Sequence, residues 1–305
     1  MTQGPLKVDK RLHRRARLRS ISAFVFFLSL TFVACWWWKW GSNSDRTFRI
    51  QRFRVEKIVK HDALAFCQGL LANSVEDTNV LESTGLYGKS TLRRVDVASG
   101  KVVRSVQLPR QYFGEGIVAV GGKVVQLTWR ESVAFVYNAS TLDKIGEFPF
   151  DTTTGEGWGA TFDGSHVVVS DGSDVLHFWL PETWQEVRRV EVTIAAEYAH
   201  HFMHLRRRMG EQNPRVPLTY INELQFVPSM GILLANIWGS DFIASIDPSS
   251  GHVMSLWNCS GLLPGHLRKG SEDVLNGIAL LNDGKAPRLM ITGKLWSRAF
   301  IVTME

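Results

Sequence analysis

A short pattern returns along this chain, and its period constrains the fold more than any single residue does. Arg93-Arg94-Val95-Asp96-Val97-Ala98-Ser99-Gly100-Lys101-Val102 is matched by Ala244-Ser245-Ile246-Asp247-Pro248-Ser249-Ser250-Gly251-His252-Val253. Looser copies run from Phe135 to Leu142 and from His177 to Trp184. Each reads as strand, Asx or Gly turn, strand. The starts lie about 42 residues apart, save for one wider gap that holds residues 195–217. Setting that stretch aside as an insertion restores a period typical of a four-stranded propeller blade.

Five such units fit. They span Leu64 to Leu108, Gly114 to Phe148, Gly157 to Val192 and Asn222 to Trp257, with a fifth from Gly277 to Thr303 that is one strand short. Phe48 to Val59 is a spare strand that would complete the fifth unit and remove an exposed edge. The expected fold is therefore all-β, a five-bladed β-propeller over 48–305, with a surface loop inserted at about 195–217. That loop carries His200, His201 and His204 ahead of Arg206-Arg207-Arg208. His200 and His204 have the spacing of a helical metal pair, but no third ligand is evident, so a basic surface loop is the better reading.

The formal charge of +6 is uneven. Residues 1–46 hold nine of the 35 Lys/Arg and two of the 29 Asp/Glu, a net of +7, which leaves the remainder at −1. A near-neutral domain removes the main electrostatic argument for nucleic-acid binding. The N-terminal charge reads as topology instead. Residues 1–19 form a basic tail, and Ser20 to Trp38 carry no charge. Nineteen helical residues would span about 28 Å, close to the thickness of bilayer hydrocarbon. Six Lys/Arg from Lys10 to Arg19 precede the stretch, and Trp36, Trp37, Trp38 and Trp40 stand where an interfacial belt belongs. The expectation is a transmembrane signal-anchor helix over 20–40, then a linker over 41–47. This is a single-pass type II arrangement, with the propeller lumenal in the secretory pathway or extracellular. The competing reading is a cleaved signal peptide, which needs a shorter apolar region and a small-residue cleavage site. Asn138 and Asn258 begin glycosylation sequons that a lumenal domain could use. Cys67 and Cys259 are read as two separate thiols.

A propeller does not specify chemistry; the motifs on it do. Phe66-Cys67-Gln68-Gly69-Leu70 and Leu81-Glu82-Ser83-Thr84-Gly85-Leu86-Tyr87-Gly88 resemble segments of the plant-type glutaminyl-peptide cyclotransferases. So do Phe113-Gly114-Glu115-Gly116, Gln126-Leu127-Thr128-Trp129, Gly157-Trp158-Gly159 and Val169-Ser170-Asp171-Gly172. Ile221-Asn222-Glu223-Leu224, Ala235-Asn236-Ile237-Trp238, Leu275-Asn276-Gly277-Ile278-Ala279 and Thr292-Gly293-Lys294-Leu295-Trp296 complete ten collinear matches over about 48–305. Cys67 departs from the family's usual Thr.

The resemblance implies an acyl-transfer enzyme that closes an N-terminal glutamine of peptides or proteins into pyroglutamate and releases ammonia. No cofactor or metal is required, although the sequence leaves open a structural cation in the propeller channel. By resemblance Glu82 is the proton shuttle, while Asn222 and Lys294 polarise the amide oxygen. Phe66, Gln68, Trp129, Trp158 and Trp238 line the substrate pocket. The expected partners are peptides with N-terminal Gln and the membrane, with a monomer as the working unit. The alternative is a non-catalytic, membrane-anchored propeller that binds peptides or protein partners through the tryptophan pocket. A metal-dependent hydrolase propeller ranks last, since it calls for a ring of carboxylate and Asn ligands and usually six blades.

Overall fold

The computed structural model describes residues 1, 48–72, 78–205 and 214–305. The chain divides into Met1–Thr47 and Phe48–Glu305. The basic tail, the expected span at 20–40 and the linker at 41–47 lie outside the described residues. Among those described, no helix is long and apolar enough to cross a membrane.

The second unit is built from strands in chain order. β1 (Arg49–Gln51) and β2 (Arg54–Lys60) lead. The first blade follows as β3 (Cys67–Ala72), β4 (Asn79–Thr84), β5 (Thr91–Asp96) and β6 (Val102–Gln107). The second is β7 (Gly114–Val120), β8 (Lys123–Thr128), β9 (Val133–Asn138) and β10 (Lys144–Pro149). The third is β11 (Ala160–Phe162), β12 (Val167–Ser170), β13 (Val175–Trp179) and β14 (Glu186–Glu191). A hairpin of β15 (Thr193–Ala195) and β16 (Arg215–Pro217) intervenes. The fourth blade holds β17 (Ile221–Val227), β18 (Ile232–Ile237), β19 (Phe242–Ile246) and β20 (Val253–Asn258). β21 (Leu275–Asn282), β22 (Arg288–Gly293) and β23 (Arg298–Thr303) make the fifth. Each blade is an antiparallel meander with its first strand innermost.

Burial follows that order. The inner strand β7 and its neighbour β8 are almost wholly buried, whereas the outer strands β6 and β10 are largely exposed. The core is accordingly five separate apolar clusters, one at each interface between neighbouring blades. No blade can bury both faces alone, which is why the period in the sequence dictates a closed ring.

The repeated pattern is the turn between the third and fourth strands of a blade. Asp96 Oδ1 accepts the Ser99 N–H at 2.8 Å, Asn138 Oδ1 the Ser140 N–H at 2.9 Å and Asp247 Oδ1 the Ser249 N–H at 2.9 Å. Each turn closes four residues on in a left-handed residue. Gly100 (φ 69°) and Gly251 (φ 71°) fill that place in the close copies, Leu142 (φ 57°) and Trp184 (φ 61°) in the looser ones. Thus the looser copies keep the turn without glycine, at some conformational cost.

Two expectations change. The N-terminal segment is not one strand but two, on different blades. β2 pairs antiparallel with β23 and completes the fifth blade, while β1 pairs parallel with β20 and adds a fifth strand to the fourth. The break at Arg52 and Phe53 lets the chain step across, with Phe53 stacked on Trp257 at 4.5 Å. The insertion also differs from a bare surface loop. Residues 196–201 form a 3-10 helix, and Ala199, Phe202 and Leu205 are buried in the cluster between blades three and four. The helix ends before His204, so no helical His200/His204 pair forms, and no group of three metal-liganding side chains gathers among the described residues. Cys67 and Cys259 are both buried free thiols.

Candidate active site

The inner strands start at one end of the ring, and the turns between second and third strands return to that same end. The residues there enclose a cavity of about 510 Å³. Gln68, Glu115, Trp158 and Asn222 come from the starts of the inner strands of blades one to four. Trp129, Trp238 and Lys294 follow the ends of the second strands of blades two, four and five. One local device recurs: pairing of inner with second strand slips at Gln68, at Glu115-Gly116, at Asn222-Glu223 and at Asn276-Gly277. Such bulges leave a residue out of the ladder and re-aim its side chain. Glycines at this level of the inner strands serve close packing: a Cβ on Gly116 would stand 2.5 Å from the Trp158 carbonyl oxygen, and one on Gly159 2.2 Å from that of Asn222.

The cavity therefore brings together seven of the eight residues expected from sequence: Phe66, Gln68, Trp129, Trp158, Asn222, Trp238 and Lys294. Glu82 is the exception. Its side chain is completely buried on β4, one strand outward, and does not line the cavity. His61 Nε2 lies 2.8 Å from Oε1, and Arg93 Nε donates to Oε2 at 2.9 Å. Burial alone would raise its pKa, but His61 and Arg93 outweigh burial and hold it at about 2. A carboxylate so engaged has no free oxygen and little basicity with which to take a substrate proton.

The carboxyl that does face the cavity is Glu115 of the Phe113-Gly114-Glu115-Gly116 motif, a residue without a role among the sequence expectations. It is 4% exposed. Burial pushes its pKa well above the ordinary carboxylate range; the Lys294 charge opposes this, and Glu156 and Glu131 add to it. Gln68 Nε2 donates to Glu115 Oε1 at 2.8 Å. Lys294 is buried too, which lowers its pKa against the pull of Glu115. Its Nζ sits 4.9 Å from the centre of the Phe66 ring. Among the described residues Asn222 Oδ1 and Gln68 Oε1 are buried acceptors without a protein hydrogen bond, which suits a ligand rich in N–H groups.

The aromatic walls are fixed by a residue that sequence motifs did not single out. Glu156 Oε2 accepts from Trp129 Nε1 at 2.8 Å and from Trp158 Nε1 at 2.9 Å, and Arg130 Nε donates to Oε1 at 3.0 Å. Arg130 also lies over the Trp129 ring at 3.7 Å. Phe113 meets Phe66 edge-on at 6.2 Å and Trp129 at 5.5 Å. Replacing Glu156 by Gln removes the charge that orients both indoles. We expect KM for a peptide substrate to rise roughly five- to tenfold with kcat within about twofold, read by steady-state kinetics. An unchanged KM would mean that packing alone holds the walls. The glycosylation candidates Asn138 and Asn258 end β9 and β20 and do not line the cavity.

The profile of a family described as glutamine cyclotransferase matches residues 29–304. A glutaminyl-peptide cyclotransferase of Arabidopsis thaliana is 34% identical over 298 residues, which cover 97% of this chain and 84% of the relative. The crystal structure of Myxococcus xanthus glutaminyl cyclase superposes with a TM-score of 0.67 at 28% identity, over 85% of this chain and 99% of that one.

Proposed function

The chain belongs to the glutamine cyclotransferase family, and from that premise we propose how its pocket residues divide the work. The activity is that of a glutaminyl-peptide cyclotransferase, which converts an N-terminal glutamine to pyroglutamate and releases ammonia. The observation that carries the division of labour is one buried carboxyl, Glu115, facing a buried lysine, Lys294, inside an aromatic cavity.

The nucleophile and electrophile share one residue, so the enzyme's first task is to fold the glutamine side chain back on its α-amine. Trp129, Trp158, Trp238 and Phe66 provide flat walls for that conformer, and the free acceptors on Asn222 and Gln68 take the substrate N–H groups. The α-amine has a pKa near 8, so a useful neutral fraction exists at physiological pH. Its lone pair forms the new bond to the side-chain amide carbon, and the carbonyl π electrons move to oxygen. Lys294, itself buried, stabilises that oxyanion. Glu115, as carboxylate, takes the proton from the attacking nitrogen and returns it to the departing one. The carbon–nitrogen bond then breaks, the carbonyl re-forms and ammonia leaves. A carboxyl whose pKa burial raises suits both halves of that transfer better than one held at about 2.

The same reading keeps residues 20–40 as a type II anchor, with the propeller monomeric, on the lumenal or outer side, and Asn138 and Asn258 as glycan acceptors. Its support is the charge-free stretch, the basic residues before it and the sequons. Incubating the full chain with a Gln-initiated peptide and excess chelator should release one ammonia per peptide, read by mass spectrometry. A folded protein that leaves the peptide intact would overturn the assignment. Release that stops with chelator and returns with added metal would overturn the metal-free mechanism.

A further inference from the structure

We propose that Glu82 is a positioning residue for Lys294, acting through His61 on the turn that carries the lysine. The proposal rests on the reading of Lys294 as the oxyanion partner.

The turn runs from Gly293 to Ser297, between β22 and β23. It places Leu295 at φ 61°, a left-handed conformation that a branched side chain adopts only when its surroundings enforce it. The enforcing contacts come from residues 61–65, which precede the first blade. The Leu295 N–H donates to the Ala65 carbonyl at 2.7 Å, and the His61 N–H to the Ser297 carbonyl at 3.1 Å. The His61 ring supplies the third link, with Nδ1 2.6 Å from the Trp296 carbonyl oxygen. A carbonyl only accepts, so Nδ1 carries a proton. The other ring nitrogen faces Glu82 Oε1 at 2.8 Å, a carboxylate that also only accepts. Both nitrogens are therefore donors and the ring is an imidazolium. Glu82 makes that charge tenable in a buried place, and Arg93 in turn fixes Glu82.

The charged groups facing this ring are few. Glu82 comes from β4, Arg93 from β5 and Asp62 from the same stretch as His61, and Arg93 Nη1 bonds Asp62 Oδ2 at 2.8 Å. Cys67 on β3 faces Glu82 and Glu223, and burial with both carboxylates pushes its thiol up, so it stays neutral. Burial lowers the His61 pKa, but the Glu82 charge outweighs it and the net shift is upward. The signs follow. His61, raised, contributes below its unfolded value of 6.5 and is lost as pH rises through its folded value. Glu82, depressed, contributes above its unfolded value of 4.5 and is lost as pH falls through about 2. The clamp is whole between those limits and opens on the alkaline side, where His61 surrenders one of its two donors.

The test compares wild type, Glu82→Gln, His61→Gln, Lys294→Met and the Glu82→Gln/Lys294→Met double variant as full chains, with kcat and KM measured across pH. Glu82→Gln should lower kcat roughly 10- to 30-fold with KM within about twofold, as expected for a misplaced transition-state contact. Its alkaline limb should move to lower pH, because the imidazolium has lost its counter-charge. His61→Gln keeps an N–H donor without a titrating ring and should move that limb to the pH at which Lys294 itself loses its proton. The double variant should be no slower than Lys294→Met alone, since the two act in series. If Lys294→Met retains full kcat, the oxyanion reading itself falls and the proposal with it. If Lys294→Met is impaired, but Glu82→Gln leaves kcat and the alkaline limb in place or adds its full loss in the double variant, the link from Glu82 to Lys294 is overturned and the oxyanion reading stands. Should Glu82→Gln fail to fold, an unmoved alkaline limb in His61→Gln would overturn the link just as well.

Discussion

Glu115→Gln is expected to lower kcat for a Gln-initiated peptide by about 10³-fold, within the range spanned by single general acid–base groups. The amide keeps the shape and can still accept from Gln68 Nε2, so the cavity survives and only the proton transfer is lost. Stability should not fall with activity. A carboxyl whose folded pKa lies well above 4.5 loses stability for the protein as pH rises past that value, because the unfolded chain ionises first. Glutamine has no charge to bury, so the melting temperature at neutral pH should hold or rise. Thermal melts beside steady-state rates make the comparison. A variant within a few-fold of wild-type kcat would remove Glu115 from the shuttle role.

Lys294→Met should cost about 10² to 10³ in kcat, the scale seen when one oxyanion donor is removed. The methionine stem fills similar space against Phe66, so most of the loss is electrostatic. A second consequence has a definite sign. The Lys294 charge is what opposes the upward push on Glu115. Without it the Glu115 pKa climbs further, and the acid limb of the kcat profile moves to higher pH. An unmoved acid limb would show that the two groups do not sense each other in the working enzyme.

Much of the architecture could be read from the repeat. An Asx turn closing four residues later is a local structure, and its period counts the blades before any long-range contact is known. Seven pocket residues were legible because they sit in short motifs that resemble a family. Glu82 and Glu115 show where this stops. Both stand in such motifs, and nothing local separates a carboxylate aimed at a cavity from one buried behind it. The bulge makes that difference, and its place becomes visible when the blades are aligned: Gln68-Gly69, Glu115-Gly116, Trp158-Gly159 and Asn276-Gly277 occupy one structural position, with Asn222-Glu223 at the fourth. Glu82 lies on a second strand and is out of that register. Glu156 was harder still, because its importance lies in two indole N–H groups 27 and 2 residues away that converge only in the folded ring. The split of the N-terminal segment between two blades was beyond pattern reading, since both pairings are with strands from the far half of the chain.

That split closure also orders events during synthesis. β2 leaves the ribosome well before its partner β23, which begins 238 residues after β2 ends. At cellular elongation rates this is a wait of roughly 12 to 48 s. For that time a strand destined for a sheet must pair with nothing. Arg54, Glu56, Lys57 and Lys60 load β2 with charge, and the strand stays largely solvent-facing even in the finished ring. Such an edge is a poor template for other chains. Its composition therefore suits a strand that has to stay soluble and single until the last blade is made, since the ring can close only once β23 is in place.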